Sequence, residues 1–247
     1  LMEIAEEFDI KVISDSAQAA GAKRNKKFAG TLSHFGGISL NYHKHIHTGE
    51  GGILFTDDDE LAFRSRLIRN HAESVVEGAG VEKINNMIGH NFRMTELQAA
   101  VGVAQLPKLR GIAAQREYQG QYLSERLSNL PGLQVPMVDK SNSHVFYTFA
   151  FQIDQSIVRS SRNEIVEDLT RQGVPGLTST YPLLHLLPVF QRKVAYGNSG
   201  FPWNLRKETD SISYSKGICP VAENLIDNTF FHLYLNEFDF NQNDMDY

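Results

Sequence analysis

The sequence opens with LMEIAEEFDIKVISDSAQAAGA (residues 1–22), and the order of elements in this stretch decides the fold class. Apolar residues at helical spacing predict a helix over Leu1–Phe8. The β-branched run Lys11–Ser14 predicts a buried strand that ends at Asp15. A helix followed by a strand with polar residues at its carboxyl end is typical of an α/β sheet, where ligands bind at that end. We therefore predict an α/β fold with Asp15 at a site.

Composition and charge exclude several classes of protein. The chain has 247 residues, of which 41% are hydrophobic, and this length allows one large domain or two smaller ones. The net charge of −5 is mild and both signs are interspersed, so we expect no nucleic acid and no membrane as partner. No apolar run reaches membrane-spanning length, the first residues do not form a signal peptide, and the single Cys219 fits a reducing compartment. These features predict a cytoplasmic protein.

The segment HKHIHTGEGG (residues 43–52) places Lys44 before a glycine-rich turn that leads into a predicted strand at Ile53–Thr56. A lysine in a reactive pocket can act as a Schiff-base nucleophile, whereas most lysines are solvated surface residues. Ser39 precedes Lys44 by five residues, and its hydroxyl could hold a phosphate oxygen. Asp15 also has two interpretations, because such a carboxylate often caps the following turn.

Alternating histidines at positions 43, 45 and 47 support a rival hypothesis. In an extended segment their side chains would share one face and could bind zinc or another transition metal. A metal-dependent hydrolase is therefore an alternative function for this chain. The pattern does not account for Asp15, Gln18 or Ser39, so we predict no metal site.

Further along the chain, local patterns predict helices and one strand. Capping boxes start helices at Thr95 with Gln98 and at Ser161 with Glu164, and the first of these helices is bent or broken at Pro107. The other predictions are a helix capped by Thr56 or Asp57, a helix over residues 112–130, a strand over His144–Ile153, and a helix end near Gly173.

Four separate motifs resemble the DegT/DnrJ/EryC1/StrS family, whose members are pyridoxal-phosphate sugar aminotransferases of fold type I. The motifs are Asp15-x-x-Gln18, Ser39, Lys44 followed by TGEGG, and GHNFRMTELQAA (residues 89–100), in the family's order and with family-like gaps. The resemblance runs through most of the chain. It implies the C-terminal part of a large α/β domain with a mostly parallel sheet (residues 1–110), a connecting helix (111–132) and a small α+β domain (133–247).

Carried over residue by residue, the resemblance implies a cofactor site for pyridoxal 5'-phosphate. Lys44 would form the Schiff base, Asp15 would pair with the pyridine nitrogen, and Ser39 would bind the phosphate. Gln18 would lie near the phenolic oxygen of the cofactor. Some family members are dehydratases with histidine in place of the lysine, but Ser39 on one side and TGEGG on the other align Lys44 with that position.

The resemblance also implies a second subunit and a substrate pocket. Asn91 matches the asparagine that reaches the partner's cofactor phosphate across a homodimer with shared active sites, and Arg93 lies beside it. The segment TSTYPLLHLLPVF (residues 178–190) is similar to a family segment over the substrate, with His185 and Tyr181 as candidates for contact. From the residues alone, His185 could equally be a packed core residue.

The predicted reaction is transfer of an amino group from glutamate or glutamine to a keto sugar linked to a nucleotide, in polysaccharide or natural-product synthesis. A noncatalytic regulatory relative with the same fold is a further alternative. The family's phosphate loop and ring-stacking aromatic lie before the aspartate motif, and Leu40 replaces a common aromatic. We therefore expect a fragment that lacks its N-terminal part, has a truncated C-terminal end, and can be inactive alone.

Overall fold

The structure is a computed structural model that describes residues 1–72, 87–205 and 211–247. These residues form two compact units. The first unit comprises Leu1–Tyr122, Met137–Tyr147 and Leu235–Tyr247, and the second comprises Leu123–Pro136 and Thr148–Tyr234. The domain limits given above remain predictions.

Both units contain short strands and helices. From Leu1 to Leu127, the elements are α1 (Met2–Glu7), β1 (Ile13–Asp15), β2 (Lys23–Arg24), β3 (Lys27–Phe28), β4 (Phe35–Ser39), β5 (Gly52–Phe55), α2 (Asp59–Arg69), α3 (Glu96–Gln105) and α4 (Leu109–Leu127). They continue with β6 (Leu133–Gln134), β7 (Asn142–Ser143), β8 (Phe149–Ile153), α5 (Arg162–Arg171), β9 (Leu177–Thr178), α6 (Pro188–Arg192), α7 (Pro220–Asn224), β10 (Phe230–Leu233) and α8 (Gln242–Asp246).

The sheet that positions the candidate site has the strand order β1-β4-β5. Strands β1 and β4 are parallel, with Asp15 opposite Gly37, whereas β5 is antiparallel to β4. Because parallel neighbours end at the same edge of a sheet, Asp15 and Ser39 lie at one edge, two residues apart in register. The resemblance implied a mostly parallel sheet. Among the described residues, β1 and β4 are the one parallel pair of strands.

Local capping predictions succeeded where the side chains had no competing partner. The capping boxes Thr95–Gln98 and Ser161–Glu164 are both present, and α3 ends before Pro107 as predicted. The prediction that Thr56 or Asp57 caps α2 is wrong, because Asp58 accepts from the N–H groups of the first turn. The Thr56 hydroxyl instead donates to the His34 carbonyl at 2.7 Å.

The predicted strand over His144–Ile153 is only half correct. Its second half forms β8, but Phe146 has a left-handed φ of 37° and its N–H donates to His144 Nδ1 at 3.0 Å. A left-handed residue cannot continue a β-ladder. The phenyl ring of Phe146 lies so close to Gly120 of α4 that a Cβ at Gly120 would be 2.3 Å from it. Residues 144–147 therefore form a fixed turn against α4.

The C-terminal segment of the first unit also runs along α4. Gln119 donates to the Phe240 carbonyl at 2.7 Å, and Tyr118 donates to Gln242 Oε1 at 2.8 Å. These bonds hold the last residues of the chain against the first unit. Earlier in the same segment, Asn236 donates to the His43 carbonyl, and Glu237 Oε1 is 3.6 Å from His43 Nδ1.

The second unit contains an antiparallel sheet in the order β6-β8-β10-β9. Stacked aromatic rings of Phe151 and Phe231, with centroids 4.6 Å apart, join its two central strands. Arg162, at the start of α5, is buried and donates to several backbone carbonyls at the end of this sheet. No helix in the described parts of the chain combines the length and apolarity that a membrane crossing needs.

Candidate functional site

Lys44 lies in a loop between β4 and β5 whose two ends are hydrogen-bonded together. The Thr48 N–H donates to the Leu40 carbonyl, and the Leu40 N–H donates to the Gly51 carbonyl, both at 2.9 Å. Gly51 has a φ of 155°, and a Cβ there would lie 2.7 Å from Thr48 Oγ1. The glycine is therefore required by the close approach of the Thr48 side chain, and it closes the loop.

Asn41 organises the interior of this loop. Its carbonyl accepts from the Lys44 N–H at 2.9 Å, and its side-chain oxygen accepts from the His43 N–H at 3.2 Å. Its amide nitrogen donates to Glu50 Oε1 at 2.7 Å. Asn41 was not among the predicted site residues, although asparagine followed by a polar turn is a recognisable local pattern.

The three histidines of the loop do not form the metal site of the rival hypothesis. The segment turns instead of extending, so its side chains do not alternate between two faces. His45 Nε2 is 2.9 Å from the Val145 carbonyl, His43 Nδ1 is 3.6 Å from Glu237 Oε1, and His47 Nδ1 accepts from the Gly49 N–H. Within residues 1–72, 87–205 and 211–247, no three His, Cys, Asp or Glu side chains are grouped to hold a metal.

The cofactor residues predicted on the sheet lie where parallel strands end. Asp15 is exposed, and its Oδ1 accepts from the Ala17 N–H at 3.0 Å, which is the capping contact expected as its alternative role. That contact engages one oxygen of a carboxylate, which can accept several hydrogen bonds. Ser39 Oγ accepts from the Asn41 N–H at 3.1 Å, and a serine hydroxyl can donate at the same time. Gln18 is exposed, three residues beyond Asp15.

Asn91 and Arg93 lie together beside the end of α2. Arg93 Nε donates to Asn91 Oδ1, and Arg93 Nη1 donates to Asn70 Oδ1, both at 3.0 Å. Gln98 in the first turn of α3 donates to the Glu50 carbonyl at 2.9 Å. This segment is thereby connected to the glycine turn that follows Lys44.

His185 and Tyr181, the candidates for substrate contact, belong to the second unit. His185 Nε2 is 2.9 Å from Glu223 Oε1, and both side chains are largely buried. Burial opposes ionisation of Glu223, but hydrogen bonds from the Gly217 and Cys219 N–H groups and from His185 lower its pKa below the ordinary value of 4.5. Tyr181 is exposed on an open cavity of about 610 Å³. Their roles toward a substrate remain predictions.

His45 is buried and neutral. Burial lowers its pKa below the ordinary 6.5; the bond to Val145 opposes this, and the nearby charges of Arg116, Lys44 and His144 add to it. The Val145 carbonyl can only accept, so Nε2 carries the hydrogen. Nδ1 is buried without a hydrogen-bond partner in the described structure. A proton on Nδ1 would therefore be a buried charge without compensation.

We expect this histidine to make stability depend on pH. The unfolded chain binds the His45 proton more readily than the folded one, so stability is complete above pH 6.5 and declines as pH falls below it. In His45→Gln the midpoint of thermal unfolding should fall less between pH 7.5 and about 5.5 than in the wild type. Burial also lowers the pKa of His232, and this histidine contributes equally to the pH dependence of stability in both proteins. Exposed His90→Gln is the control, and an unchanged pH dependence in His45→Gln would contradict the assignment.

Comparison with known proteins was made by sequence and by structure. A sequence model described as the DegT/DnrJ/EryC1/StrS aminotransferase family matches residues 1–225. GDP-perosamine synthase of Caulobacter vibrioides is 30% identical over 195 residues, which are 77% of this chain and 50% of that protein. An uncharacterized protein of Methanocaldococcus jannaschii is 30% identical over 226 residues, which are 87% of this chain and 58% of that protein. The chain thus spans about half the length of the curated relatives it matches.

The fold is shared with solved structures. The crystal structure of a DegT DnrJ EryC1 StrS aminotransferase from Brucella abortus matches with a TM-score of 0.74 at 24% identity. The match covers 99% of this chain and 57% of that one. This likeness confirms the predicted α/β fold.

Proposed function

The chain belongs to the DegT/DnrJ/EryC1/StrS aminotransferase family, and on that premise we propose that the full-length protein is a pyridoxal-phosphate-dependent sugar aminotransferase. It transfers an amino group from glutamate or glutamine to a keto sugar, linked to a nucleotide. GDP-perosamine synthase, among the relatives, carries a nucleotide sugar in its name. The observation that carries the proposal is the fixed loop that holds Lys44 five residues beyond Ser39, which shares a sheet edge with Asp15.

The groups at this edge suit the cofactor. Pyridoxal phosphate offers an aldehyde, a ring nitrogen and a phosphate, which call for an amine, a carboxylate and a hydrogen-bond donor. Lys44, Asp15 and Ser39 are those groups, and the register of β1 and β4 brings the last two to neighbouring strand ends. When bound, the cofactor supplies an electron sink for the substrate carbon.

Each residue then has a chemical task. The Lys44 amine would hold the cofactor aldehyde and, when released, would move a proton, first as base and then as acid. The Asp15 carboxylate would accept a hydrogen bond from the ring nitrogen. Ser39 would donate its hydroxyl hydrogen to the phosphate while its oxygen accepts from the Asn41 N–H.

The contacts of the two histidines next to Lys44 favour Lys44 itself as the reactive residue. His45 is buried with Nε2 on a backbone carbonyl, and His43 lies beside Glu237. Neither imidazole is at position 44, where the dehydratases of the family carry histidine, and the lysine of this chain supplies the amine that transamination requires. Transamination therefore fits the loop better than dehydration.

A homodimer with shared active sites is part of the proposal. The segment around Asn91 and α3 exposes large apolar side chains, with Leu97 82% and Phe92 66% exposed. Exposed apolar surface of this kind is typical of a protein interface. A second subunit covering it would place Asn91 at the boundary between the two copies.

The test is a half-reaction with the full-length protein. Incubation with pyridoxal phosphate should produce the visible absorbance of lysine-bound cofactor, and glutamate or glutamine should convert it to the amino form. A screen of amino sugars in the reverse direction then identifies the substrate. Absence of any cofactor absorbance would refute the proposal, and stoichiometric zinc without cofactor would favour the hydrolase. Bound cofactor that no donor or amino sugar converts would identify a noncatalytic relative.

A further inference from the structure

The ring of Tyr147 covers the amine of Lys44. Lys44 Nζ lies 4.5 Å from the centroid of the ring, within the range of a cation–π interaction. Tyr147 is 9% exposed and Lys44 is half-buried, so water screens this contact less than it would screen one on the surface. Both residues belong to the first unit. The contact joins two parts of the chain that are about 100 residues apart.

The backbone on either side fixes the two residues relative to each other. Next to Lys44, His45 Nε2 donates to the Val145 carbonyl at 2.9 Å. On the other side, the Asn236 N–H donates to the Tyr147 carbonyl at 3.4 Å, and the Asn236 side chain donates to the His43 carbonyl. His45 is thus bonded directly to the segment that carries Tyr147, and Asn236 connects His43 to Tyr147 itself.

The turn that carries Tyr147 is itself anchored. Phe146 is 1% exposed and its ring fills the space left by Gly120 of α4. With the backbone held in this way, the Tyr147 ring has a defined place. Lysine has a flexible four-carbon side chain, so a fixed aromatic face reduces the number of positions its amine can adopt.

We propose that Tyr147 is a positioning residue for Lys44, whose ring face holds the charged amine at a defined place in the loop. This inference rests on the proposed function for its role in the reaction, because the amine must return to a fixed position whenever it is not attached to the cofactor. The contact itself can be measured without cofactor or substrate. Its failure is therefore distinguishable from failure of the proposed function.

The first measurement is nuclear magnetic resonance of the full chain with ¹³Cε-labelled lysine. Protons held over an aromatic face are shifted upfield, so the Lys44 ε resonance, assigned with Lys44→Arg, should lie upfield of those of the other lysines. Tyr147→Phe keeps the ring and should keep the shift, whereas Tyr147→Leu should lose it. A Lys44 resonance at the ordinary lysine position in the wild type would overturn the proposal without reference to any variant.

The second measurement is trace acetylation with acetic anhydride, followed by mass spectrometry. The amine must leave the ring face to meet the reagent, so Lys44 should react about 2- to 30-fold faster in Tyr147→Leu, the range that a cation–π interaction allows. Tyr147→Phe should react at the wild-type rate, and exposed Lys108 is the internal reference. Equal Lys44 rates in the leucine variant and the wild type would overturn the proposal.

Discussion

Lys44→Ala should abolish covalent attachment of pyridoxal phosphate to the full-length protein and lower transamination by about four orders of magnitude. The amine is both the point of attachment and the group that moves the proton, and a positioned acid–base group contributes up to about 10⁴-fold. Borohydride reduction followed by peptide mapping measures the attachment. In the wild type the reduced cofactor should be on the peptide that contains Lys44.

The matched control is Lys108→Ala, since Lys108 is exposed at the start of α4 and has no proposed role. It should retain both the cofactor adduct and the activity. Cofactor trapped on another lysine of the wild-type protein, or an unchanged rate in Lys44→Ala, would show that the reactive amine is elsewhere.

Arg162→Met should lower the free energy of unfolding by at least about 3 kcal/mol, because each lost hydrogen bond from a charged group costs about 1.5–3 kcal/mol. Arg162 is 5% exposed, and its guanidinium donates to four backbone carbonyls, those of Ser179, Ile226, Asp227 and Phe230. Methionine fills similar space but donates no hydrogen bond. The urea midpoint measures the loss, provided that the slope of the transition is unchanged.

Arg171→Met is the control within the same helix. Arg171 pairs with Asp168 at 2.6 Å, but its side chain is 73% exposed, and an exposed ion pair contributes at most about 1 kcal/mol. The midpoint of Arg171→Met should therefore stay close to that of the wild type. An equal decrease of the urea midpoint in the two variants would show that the hydrogen bonds from Arg162 to the four carbonyls do not stabilise the second unit.

Several features of the molecule depend on residues close in sequence, and these could be predicted. A capping box is decided over four residues, and both predicted boxes formed. The glycine turn after Lys44 is decided by the approach of Thr48 to Gly51, only three residues away. Strand β1 and the polar residues after it were likewise predicted from one short stretch, but its predicted burial is wrong, because Ile13 is 73% exposed. The α/β fold and the family follow from such local motifs and their order.

The errors arose where a local pattern competed with distant partners. The helix α2 is capped by Asp58, while the Thr56 hydroxyl is engaged by the His34 carbonyl, 22 residues away. The predicted strand before β8 is interrupted because Phe146 packs against Gly120. The three histidines alternate in sequence, but the loop that contains them turns, so their ring nitrogens have separate partners.

What the sequence by itself determined was the α/β class, the two capping boxes, the glycine turn and the choice of Lys44 as the candidate reactive amine. Each of these depends on a few consecutive residues. Only the tertiary structure decided what surrounds that amine. The bond from His45 to Val145 spans 100 residues and that from Asn236 to His43 spans 193. Such contacts form only when folding brings distant segments of the chain next to each other. Short-range sequence patterns do not indicate which distant segment will pack against the Lys44 loop.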